Sequence, residues 1–231
     1  GLFKRIDTAL ERERRFTADA AHELRTPLAA LRAQWDVLRG AQDEAQKKQA
    51  IERLGAGIER MGRLVTQLLL LSRIEAAQGL DKPQSIDWPT LVQQSVNDVF
   101  ALAQRRQIEL ACTWPAHSQT PWPLKGDADL IGILLRNLLD NAVRYSPPGS
   151  TVTLSLEADG LRVHNEGPPL SDQIMTHLGE RFHRPDGQAE TGSGLGISIA
   201  QRIAALHGLR LRFGADADGQ GVLVTVRVDR A

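Results

Sequence analysis

Between Leu2 and Ala77 the chain contains one proline, Pro27, while the other ten of its eleven lie further on. Proline removes a backbone donor and crowds the preceding turn, so a stretch that nearly excludes it is free to be helical throughout. Within it Gly40-Ala41-Gln42-Asp43-Glu44 breaks the apolar pattern, and Asp43 is placed to cap a second helix. The region therefore reads as a helical hairpin. In the second helix Ile51, Leu54, Ile58, Met61, Val65 and Leu68 recur at spacings of three and four, the seam of a coiled coil or bundle. Leu64 and Leu71 widen the stripe beyond what one partner helix covers. A dimeric four-helix bundle follows, with a monomeric hairpin packed on the rest of the chain as the alternative.

Around Gly79-Leu80-Asp81-Lys82-Pro83 the pattern changes, with frequent prolines and glycines and short β-rich runs between helices. We place a first domain at 1–78, a linker at 79–84 and a second domain at 85–231. Strands are expected at Ile108–Trp114, Thr151–Glu157, Leu161–His164, Leu209–Phe213 and Val222–Val228, and helices at Pro89–Gln104, Ala128–Tyr145 and Leu195–His207. Helices gathered on one face of a mixed sheet make an α+β two-layer sandwich.

With 28 basic and 28 acidic residues the formal net charge is zero. No global field then favours nucleic acid or an anionic membrane, and any anion site must be local. The lone Cys112 cannot form an intramolecular disulfide and is expected to be a buried small hydrophobe. The longest apolar run, Leu68 to Leu71, is far below the roughly 20 residues that span a bilayer. Because the chain opens at Gly1 directly into a helical pattern, it is expected to be a soluble portion of a longer protein.

Pro27 offers no N–H to the carbonyl of Glu23, so the first helix should bend just beyond His22. His22 and Thr26 are four apart and share a face, while Glu23 has the reach to approach the imidazole edge. A carboxylate at one ring nitrogen would stabilise positive charge as the other acts as nucleophile. Alone, these residues also suit a solvated surface histidine. The whole string His22-Glu23-Leu24-Arg25-Thr26-Pro27-Leu28, however, resembles the phospho-accepting H-box of the bacterial sensor histidine kinases. The resemblance implies a dimeric hairpin with His22 as phosphoacceptor, Glu23 assisting transfer, and Thr26 positioning water for dephosphorylation of a partner.

A second constellation lies on the helix around Asn137-Leu138-Leu139-Asp140-Asn141-Ala142-Val143-Arg144-Tyr145. Asn137, Asn141, Arg144 and Tyr145 line one stripe opposite the leucines. A buried unpaired amide costs about 1–3 kcal/mol, so a polar ligand is a reasonable partner, as are ordinary loop hydrogen bonds. The Asn141 amide oxygen can complete the shell of a Mg²⁺ otherwise held by phosphates and water, Arg144 can meet phosphate, and Tyr145 can cover a base. Further on, Thr191-Gly192-Ser193-Gly194-Leu195-Gly196 leads into a helix, where glycines admit phosphates to backbone amides at a positive helix end.

Together these segments resemble the GHKL ATPase fold of the same kinases. Asn137 to Tyr145 corresponds to the N-box, Gly192, Gly194, Leu195 and Gly196 to the G2 box, and Gly179 to Arg184, with Phe182 and Arg184, to the F-box. The resemblance implies ATP and Mg²⁺ as cofactors and an ATP lid over about His183 to Ser193. The stretch from Leu178 to Gly208 is similar to QseC-like sensor kinases. That similarity implies an upstream periplasmic sensor and transmembrane helices, making this chain the cytoplasmic portion of an inner-membrane protein.

The G1 box departs from the family's D-x-G-x-G, reading Asn165-Glu166-Gly167-Pro168-Pro169. Asn165 can still accept from an adenine amino group, but a charged hydrogen bond is worth about 1.5–3 kcal/mol against about 1 for a neutral one. Nucleotide binding weakened roughly tenfold is expected from that difference. The reading implied is autophosphorylation of His22 by ATP and transfer to a response-regulator aspartate, with phosphatase activity. A phosphatase-biased regulator with weak nucleotide binding and a non-enzymatic dimeric scaffold are the alternatives.

Overall fold

The computed structural model describes residues 2–77, 79–115, 122–168, 178–179, 194–216, 219 and 221–229, with side chains from residue 17 onward. They divide into two compact units, 1–72 and 73–231.

The first unit is built from two long helices. Helix α1 runs Leu2–Gly40 and stays helical through Pro27, and α2 runs Glu44–Ala76. Asp43 caps α2 by accepting from the backbone N–H of Gln46 at 2.7 Å, the role expected of an aspartate there. The apolar stripe of α2 divides in two. Ala50, Leu64, Leu68 and Leu71 are buried, whereas Ile51 and Ile58 are each 58% exposed and Leu69 is 68% exposed. On α1, Leu28 and Trp35 are exposed one heptad apart. Gly57 marks a close approach of the helices, since a Cβ there would stand 2.6 Å from Leu31 Cδ2.

In the second unit α3 (Trp88–Arg106), α4 (Ala128–Tyr145) and α5 (Gly196–Leu206) accompany a five-stranded sheet. Its strands are β2 (Glu109–Thr113), β4 (Thr151–Glu157), β5 (Gly160–Asn165), β6 (Leu209–Gly214) and β7 (Val222–Val228). The order is β2-β4-β5-β7-β6, with β2 parallel to β4 and all other pairs antiparallel. Strands β4 and β7 alternate buried and partly exposed residues, the signature of a sheet covered on one face. That face carries Val152, Leu154, Val163, Val224 and Val226, all buried with Leu134, Leu135 and Leu139 of α4 and Ile199 and Ile203 of α5. This is the expected α+β two-layer sandwich.

A further two-stranded pair, β1 (Gln84–Ser85) with β3 (Lys125–Gly126), was not expected, because two residues carry no periodicity. It is fastened by the stacked rings of Trp88 and Trp122 and by a 2.6 Å bond from Trp88 Nε1 to the carbonyl of Trp122. The expectation for Cys112 is corrected: it is exposed on β2, which among the described residues is an edge strand with one neighbour. Partial burial of its thiol nevertheless pushes the pKa up, so the thiolate is scarce at neutral pH. No helix among the described residues is long and apolar enough to cross a membrane.

Candidate functional site

His22 lies on α1, exposed, with Glu23 partly buried beside it and Thr26 exposed one turn on. Successive residues on a helix are about 100° apart. His22 and Thr26 therefore share a face while Glu23 turns aside, and no hydrogen bond joins Glu23 to the His22 ring. The imidazole is open to a reactant from solvent.

The second site is organised by α4. Asp127 caps the helix, accepting from the N–H of Leu130 at 3.1 Å. His207 braces this end: its Nε2 accepts from the Asp127 N–H at 3.1 Å while its Nδ1 lies 2.8 Å from the Ile203 carbonyl. Those two partners select the tautomer protonated on Nδ1. The leucines on one side of α4 are buried, which leaves the asparagine stripe on the other.

Asn137 donates from Nδ2 to the Ile133 carbonyl at 2.9 Å. Its Oδ1 faces the start of α5, where a Cβ on Gly196 would come within 3.1 Å of it. A side chain there would force the helices apart by a few tenths of an ångström. Gly194, just before, takes φ +70°, and Leu195 is fully buried and anchors the turn. Leu195 offers no side-chain cap to the first amides of α5. Those amides and the helix dipole make this end suited to an anion.

One turn beyond Asn137, the amide of Asn141 makes no side-chain hydrogen bond among the described residues. Arg144 is held by Asp140 in a two-pronged pair, Nε to Oδ2 at 2.6 Å and Nη2 to Oδ1 at 3.0 Å. Tyr145 is exposed at the end of the helix. Asp140 was missed by sequence reasoning, although its spacing of four from Arg144 was a readable signal.

At the far end of α4, a Cβ on Gly167, whose φ is +143°, would lie 3.3 Å from Pro147 Cδ and 3.8 Å from the Tyr145 carbonyl oxygen. Asn165, only 5% exposed, donates from Nδ2 to the Glu166 carbonyl at 3.3 Å. Gly221 backs this turn, its N–H bonding the Gly167 carbonyl at 2.9 Å. Helix α4 thus meets the start of α5 near its middle and the Asn165–Gly167 turn at its end. Phe182, Arg184, Gly192 and the expected lid, His183 to Ser193, lie outside the described residues.

The asparagine side chains fit a nucleotide's metal better than a resident ion. Among the described residues no group of three or more His, Cys, Asp or Glu is placed to hold one. The unengaged Asn141 amide supplies a single hard oxygen, which suits a Mg²⁺ whose other ligands arrive with phosphates and water.

Comparison with known proteins finds two family models along the chain. Residues 12–77 match the His Kinase A (phospho-acceptor) domain, and residues 126–231 match the histidine kinase-, DNA gyrase B-, and HSP90-like ATPase family. Sensor protein QseC of Salmonella typhi is 47% identical over 221 residues, covering 94% of this chain and 48% of the relative. Sensor protein kinase PmrB of Pseudomonas aeruginosa is 34% identical over 230 residues, 97% of this chain and 47% of the relative. The chain thus spans about half the length of the curated relatives it matches. Histidine kinase ThkA, solved in complex with response regulator protein TrrA, shares the fold at 18% identity with a TM-score of 0.72, over 98% of this chain and 66% of that one. The solved cytoplasmic segment of histidine kinase QseC is 37% identical with a TM-score of 0.52, the match covering 75% of this chain and 95% of that segment. An H-box helix followed by this nucleotide-type sandwich, with that likeness throughout, places the chain in the sensor histidine kinase family, on its QseC-like side.

Proposed function

We propose that this chain is the catalytic portion of a protein-histidine kinase that transfers the γ-phosphate of ATP to His22 and then to an aspartate of a response-regulator receiver domain. The single observation that carries the reading is the close approach of Asn137 Oδ1 to Gly196, which puts the asparagine stripe of α4 beside the glycine-led end of α5. A triphosphate bound there meets backbone amides of α5, with Arg144 able to neutralise charge. Asn141 would hold Mg²⁺, which when bound spreads the charge of the transferring phosphoryl group.

In the first step a ring nitrogen of His22 forms a bond to the γ-phosphorus, the bond to the β–γ bridging oxygen breaks, and ADP leaves. Glu23 stabilises the charge gained by the ring, and Thr26 orients the water that hydrolyses the regulator's aspartyl phosphate, releasing inorganic phosphate and restoring the aspartate. Residues 1–78 act as the dimerisation and phosphotransfer domain, 79–84 as linker and 85–231 as the ATP-binding domain. The exposed Ile51, Ile58, Val65 and Leu69 form the surface that a second copy covers to complete a four-helix bundle. In the whole protein this portion lies on the cytoplasmic side of a bacterial inner membrane.

A phosphatase-biased regulator is the second reading, favoured by the buried Asn165, whose amide leaves adenine a neutral oxygen where the family carries a carboxylate. Incubation with γ-labelled ATP tests the choice: acid-labile label on His22 is expected. Absence of label together with dephosphorylation of a phosphorylated receiver would select the second reading.

A further inference from the structure

The last carbonyls of an α-helix have no donors within it, and two of those of α2, on Ile74 and Glu75, are closed from elsewhere in the chain. Arg202, in the middle of α5, donates from Nε to the carbonyl of Ile74 at 3.2 Å. From Nη2 it reaches those of Glu75 at 3.2 Å and Ala77 at 3.4 Å. One guanidinium therefore gathers three acceptors 125 to 128 positions away in sequence. A cation at this end also opposes the helix dipole. The side chain of Ile74 is buried at the same place, so the turn that Arg202 holds is packed as well as capped.

The neighbouring position on α5 is closely packed as well. The amide of Gln201 lies against the backbone of Gly179, whose φ of +94° and lack of a Cβ leave it the room. The first residue of the helix, Gly196, faces Asn137 Oδ1. Helix α5 has eleven residues, a length of about 16 Å, and so behaves as a short rigid rod. Its first residue faces Asn137 on α4, and its middle, through Gln201 and Arg202, meets the turn at Gly179 and the end of α2.

We infer that Arg202 is a positioning residue that couples the nucleotide loop to the last turn of α2. A triphosphate held by the first amides of α5 stiffens the helix that carries Arg202 and tightens its grip on the three carbonyls. The end of α2, where the chain leaves the helical hairpin, is then wound more firmly when nucleotide is bound. By linkage, loosening that turn weakens nucleotide binding by the same factor. The inference rests on the nucleotide reading of the α4–α5 site.

The test is hydrogen exchange, read by mass spectrometry on peptides spanning residues 70–80 of the whole chain, with and without a non-hydrolysable ATP analogue and Mg²⁺. Calorimetry in parallel reports whether the analogue binds. In the unaltered protein the analogue should slow exchange in this turn severalfold. Arg202→Ala should speed exchange there about tenfold, abolish the response to the analogue, and weaken the analogue's affinity by about threefold. Arg202→Lys keeps the charge and stem but loses the planar fork, and should fall between the two. If the analogue binds yet leaves the turn unchanged, Arg202 is a cap and nothing more. If Arg202→Ala keeps the response, the coupling runs elsewhere, and either result overturns the inference. Calorimetric silence in the unaltered protein overturns the nucleotide reading itself, and the coupling with it.

Discussion

His22 is exposed on α1 and no described side chain bonds its ring, so its replacement disturbs little beyond the nucleophile we propose. His22→Ala should abolish acid-labile labelling while the affinity for ATP stays within about twofold, because the two sites are carried by separate elements. Loss of nucleotide binding in that variant would contradict the assignment. Thr26→Ala should label normally and dephosphorylate a phosphorylated receiver at least about tenfold more slowly, because in the proposed reading its hydroxyl positions water without being the nucleophile. Failure to label would remove the role given to Thr26. Asn165→Asp balances two effects. The carboxylate forfeits the 3.3 Å bond to the Glu166 carbonyl, a long and weak one, and must be desolvated at a buried position. It gains about 1 kcal/mol as a charged acceptor for an adenine amino group, so tightening of several-fold is expected in a calorimetric titration. Equal or weaker binding would mean that Asn165 belongs to a differently built adenine pocket.

At the scale of elements, the site depends on how closely α4 and the start of α5 approach. Gly196→Ala puts a methyl 3.1 Å from Asn137 Oδ1, so one helix must give by a few tenths of an ångström. Alanine is otherwise the better helix residue, by about 1 kcal/mol. Thermal stability should therefore change little while ATP affinity falls about tenfold, a split that titration and a melting curve on the same sample would read. A matching fall in stability would place the effect in the fold instead. The elements themselves were largely legible. Helix α4 and strands β4 and β7 have the bounds their periodicity predicts, because alternation in a strand and three-four spacing in a helix record locally which face meets the core. Strands β1 and β3 are too short for any such record and exist only because their partners meet.

At the scale of the whole molecule, the exposed apolar residues of the hairpin call for a second copy. Leu28 and Trp35 on α1 and Ile51, Ile58, Val65 and Leu69 on α2 repeat at heptad-like intervals and stay open in a single chain. Sedimentation at micromolar concentration should show a dimer, and Ile58→Glu should weaken it at least about a hundredfold, since each dimer buries two such sites. A monomer before substitution would remove the bundle. The candidate chemistry and most of the elements were determined by the sequence alone, since a motif such as the one from His22 to Leu28 and the period of a strand are properties of contiguous residues. The tertiary structure decided what surrounds them. Cys112 is exposed because β2 falls at an edge of the sheet, and Gly221 backs Asn165 because β7 pairs with β5. Arg202 closes a helix more than a hundred positions earlier. Contacts across such separations obey no spacing rule, and they form only when strand order and helix packing bring remote segments to one place.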